Sequence, residues 1–158
     1  MQRENEYGQP IGFALPDWAP PPLPPRVELA GRFCRVEPLD AARHAADFHA
    51  ANQLEPDQRG WTYLTYGPFG TAEDCRRWAD ATAQRTDYLC HAIIDQSSDK
   101  VGGVAAYMRM DPANGCIEIG GIKYTPLIAQ QPVATEAMFL LMQRAFELGY
   151  RRYEWKCD

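Results

Sequence analysis

Long hydrophobic runs are missing from this sequence of 158 residues. No apolar stretch approaches the roughly 20 residues that a membrane-spanning helix requires. The amino terminus, MQRENEYGQPIGF, also lacks the basic-then-apolar layout of a secretory signal. We therefore expect a cytoplasmic protein that has no membrane partner.

Positive charge is scarce as well, because 16 Lys and Arg stand against 21 Asp and Glu, giving a formal net charge of -5. Proteins that bind duplexes usually carry an excess of basic residues, so nucleic acid is not an expected partner. The composition, 46% hydrophobic and 23% charged, is typical of a globular domain. A chain of this length buries enough surface to fold without disulfides or a metal.

Close cysteine pairs are also absent. None of the five cysteines (Cys34, Cys75, Cys90, Cys116 and Cys157) forms a C-x-x-C motif, and zinc sites usually bring their ligands in such pairs. We expect no metal and interpret the cysteines as buried, reduced thiols. Cys90 and His91 adjoin each other in a predicted strand, so their side chains point to opposite faces and cannot form a catalytic dyad.

Proline is concentrated at the amino-terminal end, with seven of the 13 prolines between Pro10 and Pro25. Such a segment is extended and unable to join a central sheet. We therefore divide the chain into a Pro-rich arm, residues 1–31, and a domain, residues 32–158. The arm either wraps over its own domain, anchored by Trp18 and Leu23, or serves as a ligand for an aromatic-lined groove on another protein.

From Arg32 onward, hydrophobic periodicity predicts a mixed α/β fold. The predicted elements are a strand at FCRVEPL, a helix capped by Asp40, a helix opening at Thr71, strands at 88–95, 100–110 and 115–125, a helix from Val133 to Leu148 and a strand at Tyr153–Cys157. The last helix has a predicted apolar face of Met138, Leu141, Met142, Ala145 and Leu148. The pattern indicates an antiparallel meander followed by a βαβ unit with parallel outer strands.

Two features of the βαβ unit are candidates for chemistry. The loop 129–134 precedes a helix amino terminus, where unpartnered amides and the helix dipole favour a phosphate group, although on these features alone a plain connection is the favoured interpretation. Glu118 is the second, a carboxylate predicted to share one strand face with Cys116, Gly120, Ile122 and Tyr124. Such a carboxylate either lines a cleft or forms an ion pair with a cation such as Arg109 or Lys123.

Aromatic residues are frequent in the loop between the first two helices, where Trp61, Tyr63, Tyr66 and Phe69 occur within nine positions. Aromatic loop residues can wall a substrate cleft, and they can also pin a long loop to the core. The pattern leaves both interpretations open.

Taken in order, these segments resemble the GNAT superfamily of N-acetyltransferases, in the branch of the ribosomal-protein amino-terminal acetyltransferases. The matching segments are Gly60–Leu64, Gly67–Phe69, Lys100–Gly102, Ile117–Gly120, Pro126, Pro132–Ala137 and Tyr153–Asp158. The resemblance covers essentially the whole chain. It implies transfer of an acetyl group from acetyl-CoA to an amine, without a metal and without a covalent enzyme intermediate.

The resemblance also implies roles for particular residues. Glu118 stands where many relatives carry a general base, and the backbone of Ile122, Lys123 and Tyr124 would hold the pantetheine arm and the thioester oxygen. The implied pyrophosphate contacts are Gln130, Gln131, Val133, Ala134 and Thr135. Trp61 and Tyr63 would line the acceptor side. The expected partners are an amine acceptor, either a small molecule or a protein amino terminus, and, as an alternative to a monomer, a second copy of the chain.

Two departures from the family pattern qualify the resemblance. The phosphate loop of the family begins with Gln or Arg and carries glycines, whereas the matching residues here are Ala129-Gln-Gln-Pro-Val-Ala134. The family also continues past the last strand with a helix and a hairpin, and that helix commonly carries the general acid. We therefore expect the domain to be incomplete at its carboxyl-terminal end. A non-catalytic remnant that binds CoA or a protein is the alternative function.

Overall fold

Eight strands and three helices make up residues 3–157, the part of the chain that the computed structural model describes. Met1, Gln2 and Asp158, which belong to the expected arm and domain, lie outside this range. The elements are β1 (Arg3–Glu4), β2 (Pro10–Ile11), β3 (Leu29–Ala30), β4 (Cys34–Pro38), α1 (Ala41–Asn52), α2 (Ala72–Ala83), β5 (Tyr88–Asp95), β6 (Lys100–Asp111), β7 (Cys116–Tyr124), α3 (Pro132–Glu147) and β8 (Arg152–Trp155). Within the described range, no helix is long and apolar enough to cross a membrane.

Six of the strands form one sheet in the order β3-β4-β5-β6-β7-β8. Neighbouring strands are antiparallel except for β7 and β8, which run parallel and are connected by α3. Strands β1 and β2 form a separate short hairpin. This topology confirms the predicted mixed α/β fold, a meander followed by a βαβ unit.

Two of the three helices begin with a side-chain cap, and the third does not. The carboxylate of Asp40 accepts a hydrogen bond from the Arg43 amide at 3.0 Å, and the hydroxyl of Thr71 accepts one from the Asp74 amide at 3.1 Å. Both caps satisfy amides that have no partner inside the first helical turn. Helix α3 instead begins at Pro132 and has no side-chain cap. Its first turn is therefore the one best able to offer backbone amides to a ligand.

The sheet separates two hydrophobic clusters. Helix α3 packs through Ala137 and Leu141 into one of them, the α3 cluster, and α1 and α2 contribute Phe48 and Ala79 to the other, the α1–α2 cluster. The inward stripe of α3 passes through small residues, which lets the helix lie close to the sheet. Met142 falls outside this stripe and is exposed, so its predicted place on the apolar face is wrong.

The Pro-rich segment lies against its own domain. The indole N–H of Trp18 donates to the carbonyl of Gly149 at 3.3 Å, and the guanidinium of Arg151 lies 5.6 Å from the ring. Pro21 is buried too. Leu23 is 55% exposed, so its expected anchoring role is wrong. A polyproline II segment has threefold periodicity, and only some of its side chains can therefore face the surface that it crosses.

His91 is a buried histidine on the α3 side of the sheet, where its ring packs edge-on against Tyr107 at 5.5 Å. Cys90 lies in the α1–α2 cluster, so the two neighbours do point to opposite faces. Burial, with a smaller contribution from the charge of Arg26, lowers the pKa of His91 from 6.5 to about 4.

This low pKa makes folding stability depend on pH. The unfolded chain takes up a proton at position 91 near pH 6.5, whereas the folded chain resists it down to about pH 4. The stability is therefore fully present above pH 6.5 and is lost as the pH falls below it. We expect this residue alone to contribute a loss of about 2 kcal/mol between pH 7.5 and pH 5, measured by urea unfolding.

The substitution His91→Leu isolates this contribution, because leucine removes the titrating group and keeps the site apolar. Its free energy of unfolding should change by about 2 kcal/mol less than that of the wild type over the same pH range. Equal changes in the two proteins would show that His91 is not the residue responsible.

Candidate active site

The parallel strands β7 and β8 stay paired over only four residues. Their register runs from Cys116 opposite Arg152 to Ile119 opposite Trp155, after which β8 ends and β7 continues to Tyr124. A cavity of about 470 Å³, here called the strand cleft, lies at this point. It is lined by Tyr63, Leu64, Gly120, Gly121, Ile122, Tyr124, Trp155, Lys156 and Cys157. The β7 peptide groups beyond Ile119 thus border a cleft instead of pairing with β8.

A bulge interrupts β7 beside the strand cleft. Gly120 and Lys123 pair with β6 residues that are only two positions apart, so Gly121 and Ile122 together lie opposite Ala105. Gly121 has a φ of +56°, a conformation that glycine adopts at little cost. The bulge gives β7 one more residue than its partner strand.

Because of this extra residue, the predicted shared face of Glu118, Ile122 and Tyr124 is wrong. Ile122 and Tyr124 pack with the α3 cluster, whereas Lys123 contacts Trp61 of the α1–α2 cluster. One inserted residue moves every following side chain to the other face of a strand.

Glu118 is a carboxylate with an exposed fraction of only 3%. Nη1 of Arg109 donates to its two oxygens at 2.6 and 2.7 Å, and Nζ of Lys156 donates to Oε2 at 2.5 Å. Burial acts to raise the pKa of Glu118, but the hydrogen bonds and charges of Lys156 and Arg109 outweigh it and hold the pKa below its ordinary value. The two cations are 58% and 65% exposed, so they shield an ionised carboxylate from the solvent side.

Lys123 does not pair with Glu118, although the sequence allowed that pairing. Its buried ammonium donates to Oε1 of Glu55 at 2.6 Å and lies 4.8 Å from the ring centre of Trp61. This contact ties the loop after α1 to β7. Ile122 and Tyr124 line the strand cleft. Because the side chain of Lys123 instead contacts Glu55 and Trp61, Lys123 can contribute only its backbone to this cleft.

A second cavity, of about 560 Å³, lies at the amino terminus of α3 and is called the helix cavity here. It is lined by Arg32, Phe33, Asp95, Gln96, Ser97, Leu127, Gln131, Pro132 and Val133. Of the residues expected to contact pyrophosphate, Gln131 and Val133 line it, whereas Gln130, Ala134 and Thr135 do not. The side chains of Val133 and Ala134 are buried, which leaves only their backbone for a ligand. A helix amino terminus of this kind suits an anion.

Glu136 connects the two walls of the helix cavity. Its carboxylate accepts hydrogen bonds from three consecutive amides, those of Arg32 at 2.8 Å, Phe33 at 2.6 Å and Cys34 at 2.9 Å. Burial acts to raise the pKa of Glu136, but these backbone donors outweigh it, so the pKa lies below its ordinary value. The segment before β4 is thereby fixed to α3.

Trp61 and Tyr63, the two residues expected on the acceptor side, lie in different surroundings. Trp61 is buried and packs edge-on against Tyr66 at 5.9 Å and Phe69 at 5.5 Å, as in a loop that is pinned to the core. Tyr63 is 78% exposed and lines the strand cleft. Of the two, Tyr63 alone borders the cavity next to the bulge.

The five cysteines differ in their exposure. Cys34, Cys75 and Cys90 are buried, and burial raises the pKa of each thiol to about 12. Cys116 is half-buried and Cys157 is exposed, so for these two the interpretation as buried thiols is wrong. Among residues 3–157, no three His, Cys, Asp or Glu side chains are grouped in a way that could hold a metal ion.

Sequence reasoning missed Lys156 as a partner of Glu118, and it missed Trp155 and Cys157 as part of the strand cleft. The parallel pairing of β7 and β8 was predicted, but the register that brings residue 156 beside Glu118 was not. Arg32 and Phe33 of the helix cavity were missed as well, because their place depends on the distant contact with Glu136.

Comparison with known proteins adds an independent observation. A family model described as an acetyltransferase (GNAT) domain matches residues 35–158. A GCN5-related N-acetyltransferase from Brucella melitensis is 46% identical in sequence, with a TM-score of 0.86, and the match covers 89% of this chain and 64% of that one. A GNAT-family protein from Chromobacterium violaceum is 36% identical with a TM-score of 0.82, covering 94% and 74%.

A ribosomal L7/L12 alpha-N-protein acetyltransferase shares the fold at 19% identity, with a TM-score of 0.63 and coverage of 80% and 68%. The curated proteins include no match to the chain. The chain spans less than two thirds of the Brucella melitensis structure, 64% of its length. With a family model over most of its length and a relative at 46% identity, the chain belongs to the GNAT acetyltransferase family.

Proposed function

We propose that this protein transfers an acetyl group from acetyl-CoA to a primary amine, with Glu118 as general base. The observation that carries the proposal is the strand cleft, where β7 and β8 separate. The buried, ionised Glu118 does not line this cleft itself but contacts Lys156, which does. A cleft between two parallel strands offers a ligand backbone groups that would otherwise be paired.

The residues around both cavities fit acetyl-CoA. The β7 backbone at Ile122, Lys123 and Tyr124 would hold the pantetheine arm. The amides around the start of α3, which has no side-chain cap, would hold the pyrophosphate, except that Pro132 has no N–H and the amides of Gln131 and Ala134 already donate to the carbonyls of Ile128 and Gln131. Arg32 at the helix cavity adds a cation for phosphate oxygens. Acetyl-CoA supplies an activated acyl group when it is bound.

Glu118 would accept the proton that the amine loses on attack, directly or through one water molecule. The thioester C–S bond would then break, and CoA would leave as its thiol, with the sulfur taking a proton from Glu118 or from water. An amine must be neutral to act as a nucleophile, and a carboxylate that is ionised at neutral pH can take its proton. Arg109 and Lys156 would have to move away from part of the carboxylate first. Their exposure permits this, because their charged ends can turn into water.

The backbone N–H of Ile122 or Lys123 would stabilise the negative charge that develops on the thioester oxygen. Such a donor contributes most where water is excluded, as beside a strand in a narrow cleft. Tyr63 would border the acceptor amine at the cleft mouth, and Trp61 would support the loop that carries Tyr63.

The acceptor that we propose is a small amine or a protein amino terminus, as in the ribosomal-protein branch that the sequence resembles. The proposed setting is the cytoplasm, and the active species is a monomer or a homodimer. One solved relative, an alpha-N-protein acetyltransferase, shares the fold, and this supports the inclusion of protein amino termini among the acceptors.

Titration calorimetry with acetyl-CoA, followed by thiol release in the presence of a panel of amines and amino-terminal peptides, tests the proposal. We expect binding, a rise in folding stability of about 2.7 kcal/mol at a hundredfold excess over Kd, and thiol release that requires one class of amine. Binding without transfer to any amine would instead support a CoA-binding module. A cooperative melt that acetyl-CoA does not shift would contradict both functions.

A further inference from the structure

Tyr66 connects residues 61–69 of the loop between α1 and α2, here called the aromatic loop, to the bulge of β7. Its ring stacks on Trp78 at 4.7 Å with an interplanar angle of 14°, and Trp61 packs against it edge-on. Its hydroxyl donates a hydrogen bond to the carbonyl of Gly121 at 2.7 Å. Burial raises the pKa of Tyr66 well above its ordinary value, so the hydroxyl keeps the proton that it donates.

The Gly121 carbonyl belongs to the same planar peptide group as the N–H of Ile122. In a trans peptide the C=O and the N–H point in opposite directions, so a hydrogen bond that fixes one also fixes the other. At a bulge this matters more than elsewhere, because Gly121 and Ile122 share one opposing residue in β6 and regular ladder pairing is interrupted. The Tyr66 hydroxyl thus supplies an orienting contact where the sheet does not.

We propose that Tyr66 is a positioning residue, whose hydroxyl aims the Ile122 N–H at the thioester oxygen of acetyl-CoA bound in the strand cleft. This inference rests on the proposed function. Tyr66 itself does not line the cleft, and it acts only through the Gly121–Ile122 peptide group.

The aromatic loop then has two separate tasks. Trp61 and Phe69 hold the loop on the α1–α2 cluster. The hydroxyl of Tyr66 fixes the orientation of the Gly121–Ile122 peptide group in the bulge. Removing the hydroxyl alone should leave the loop in place, because the stacked ring remains.

The variant Tyr66→Phe tests the role, with Tyr107→Phe as matched control. The Tyr107 hydroxyl also donates to a backbone carbonyl, that of Leu141 at 2.5 Å, but this carbonyl belongs to α3 and not to the bulge. Both variants should lose similar stability, a fall in Tm of about 2–4 °C. A positioning role is therefore read from the difference between the two variants.

The first readout is the infrared stretch of acetyl-CoA labelled with carbon-13 at the thioester carbonyl, recorded on the full chain. We expect the bound wild type and Tyr107→Phe to lower this frequency, and Tyr66→Phe to return it toward the value in free solution. With the amine that the wild type acetylates fastest, kcat of Tyr66→Phe should fall about tenfold, with the Kd of acetyl-CoA unchanged.

Equal frequencies and equal kcat in the two variants would overturn the positioning role while leaving the proposed function intact. Absence of acetyl-CoA binding by the wild type would defeat the proposed function itself, and it would be seen before any variant is measured. If acetyl-CoA bound to Tyr66→Phe had the same carbonyl frequency as acetyl-CoA bound to the wild type, the inference would also be refuted, even if kcat fell for another reason.

Discussion

Alanine in place of Gly121 is expected to lower the free energy of unfolding by about 2–5 kcal/mol. The φ of +56° costs an L-residue about 1–2 kcal/mol. A Cβ there would also lie 1.7 Å from the hydroxyl oxygen and 2.9 Å from Cζ of Tyr88, so the whole ring would have to move. Such overpacking typically adds about 1–3 kcal/mol. Urea unfolding at pH 7.5 measures the sum.

Gly149 provides the matched control for backbone strain alone. It has a φ of +99°, but a Cβ would lie 3.7 Å from Pro21, an ordinary contact. Gly149→Ala should therefore show only the conformational cost, about 1–2 kcal/mol. The double variant Gly121→Ala with Tyr88→Phe should recover part of the loss. If the two single variants were equally stable, the close packing of Tyr88 on the bulge would be refuted.

Glutamine in place of Glu118 is expected to reduce kcat by about 10²–10⁴-fold and to leave the Kd of acetyl-CoA unchanged. The amide keeps the shape of the side chain but cannot accept the proton of the attacking amine. Stability should change little, because Arg109 and Lys156 are more than half exposed and can be solvated once the carboxylate charge is gone. Stopped-flow or steady-state thiol release measures the loss of rate.

Glu154 is a suitable control, because it lies opposite Glu118 in the β7–β8 register and pairs with Arg152 at 2.7 Å. Glu154→Gln removes a neighbouring charge and should leave kcat within a factor of two or so of the wild type. Full activity in Glu118→Gln would assign Glu118 to a purely structural ion pair. Equal losses in the two variants would point to local charge instead of proton transfer.

Much of the fold was predictable because its signals are local. Asp40 and Thr71 are helix caps whose partners lie three residues away, and the sequence patterns of β5 and β6 are each contained within one strand. The parallel pairing of β8 followed from the length of the α3 crossover. Met142 was assigned wrongly because it lies at the edge of the apolar stripe of α3. The sequence does not show whether the sheet covers the residues at that edge.

The bulge at Gly121 could not be deduced from the alternation of side chains between the two faces of a strand. Alternation assumes that each residue of one strand lies opposite a single residue of the neighbouring strand. Adjacent glycines such as Gly120 and Gly121 allow a close approach to the backbone, but they do not by themselves specify an inserted residue. The partners of Glu118 likewise depend on contacts between residues that are far apart in the sequence. Arg109 was identified because it lies one hairpin away, whereas Lys156 is 38 positions along the chain and reaches Glu118 only through the strand register.

The three amides held by Glu136 have a consequence for how fast a ligand can bind. Arg32 and Phe33 form one wall of the helix cavity, and the first turn of α3 forms another, so the carboxylate makes both walls part of one body. A molecule that enters this recess does not have to order a loop, and little conformational entropy is lost on binding. Its association rate is then governed by diffusion and orientation rather than by a closing motion.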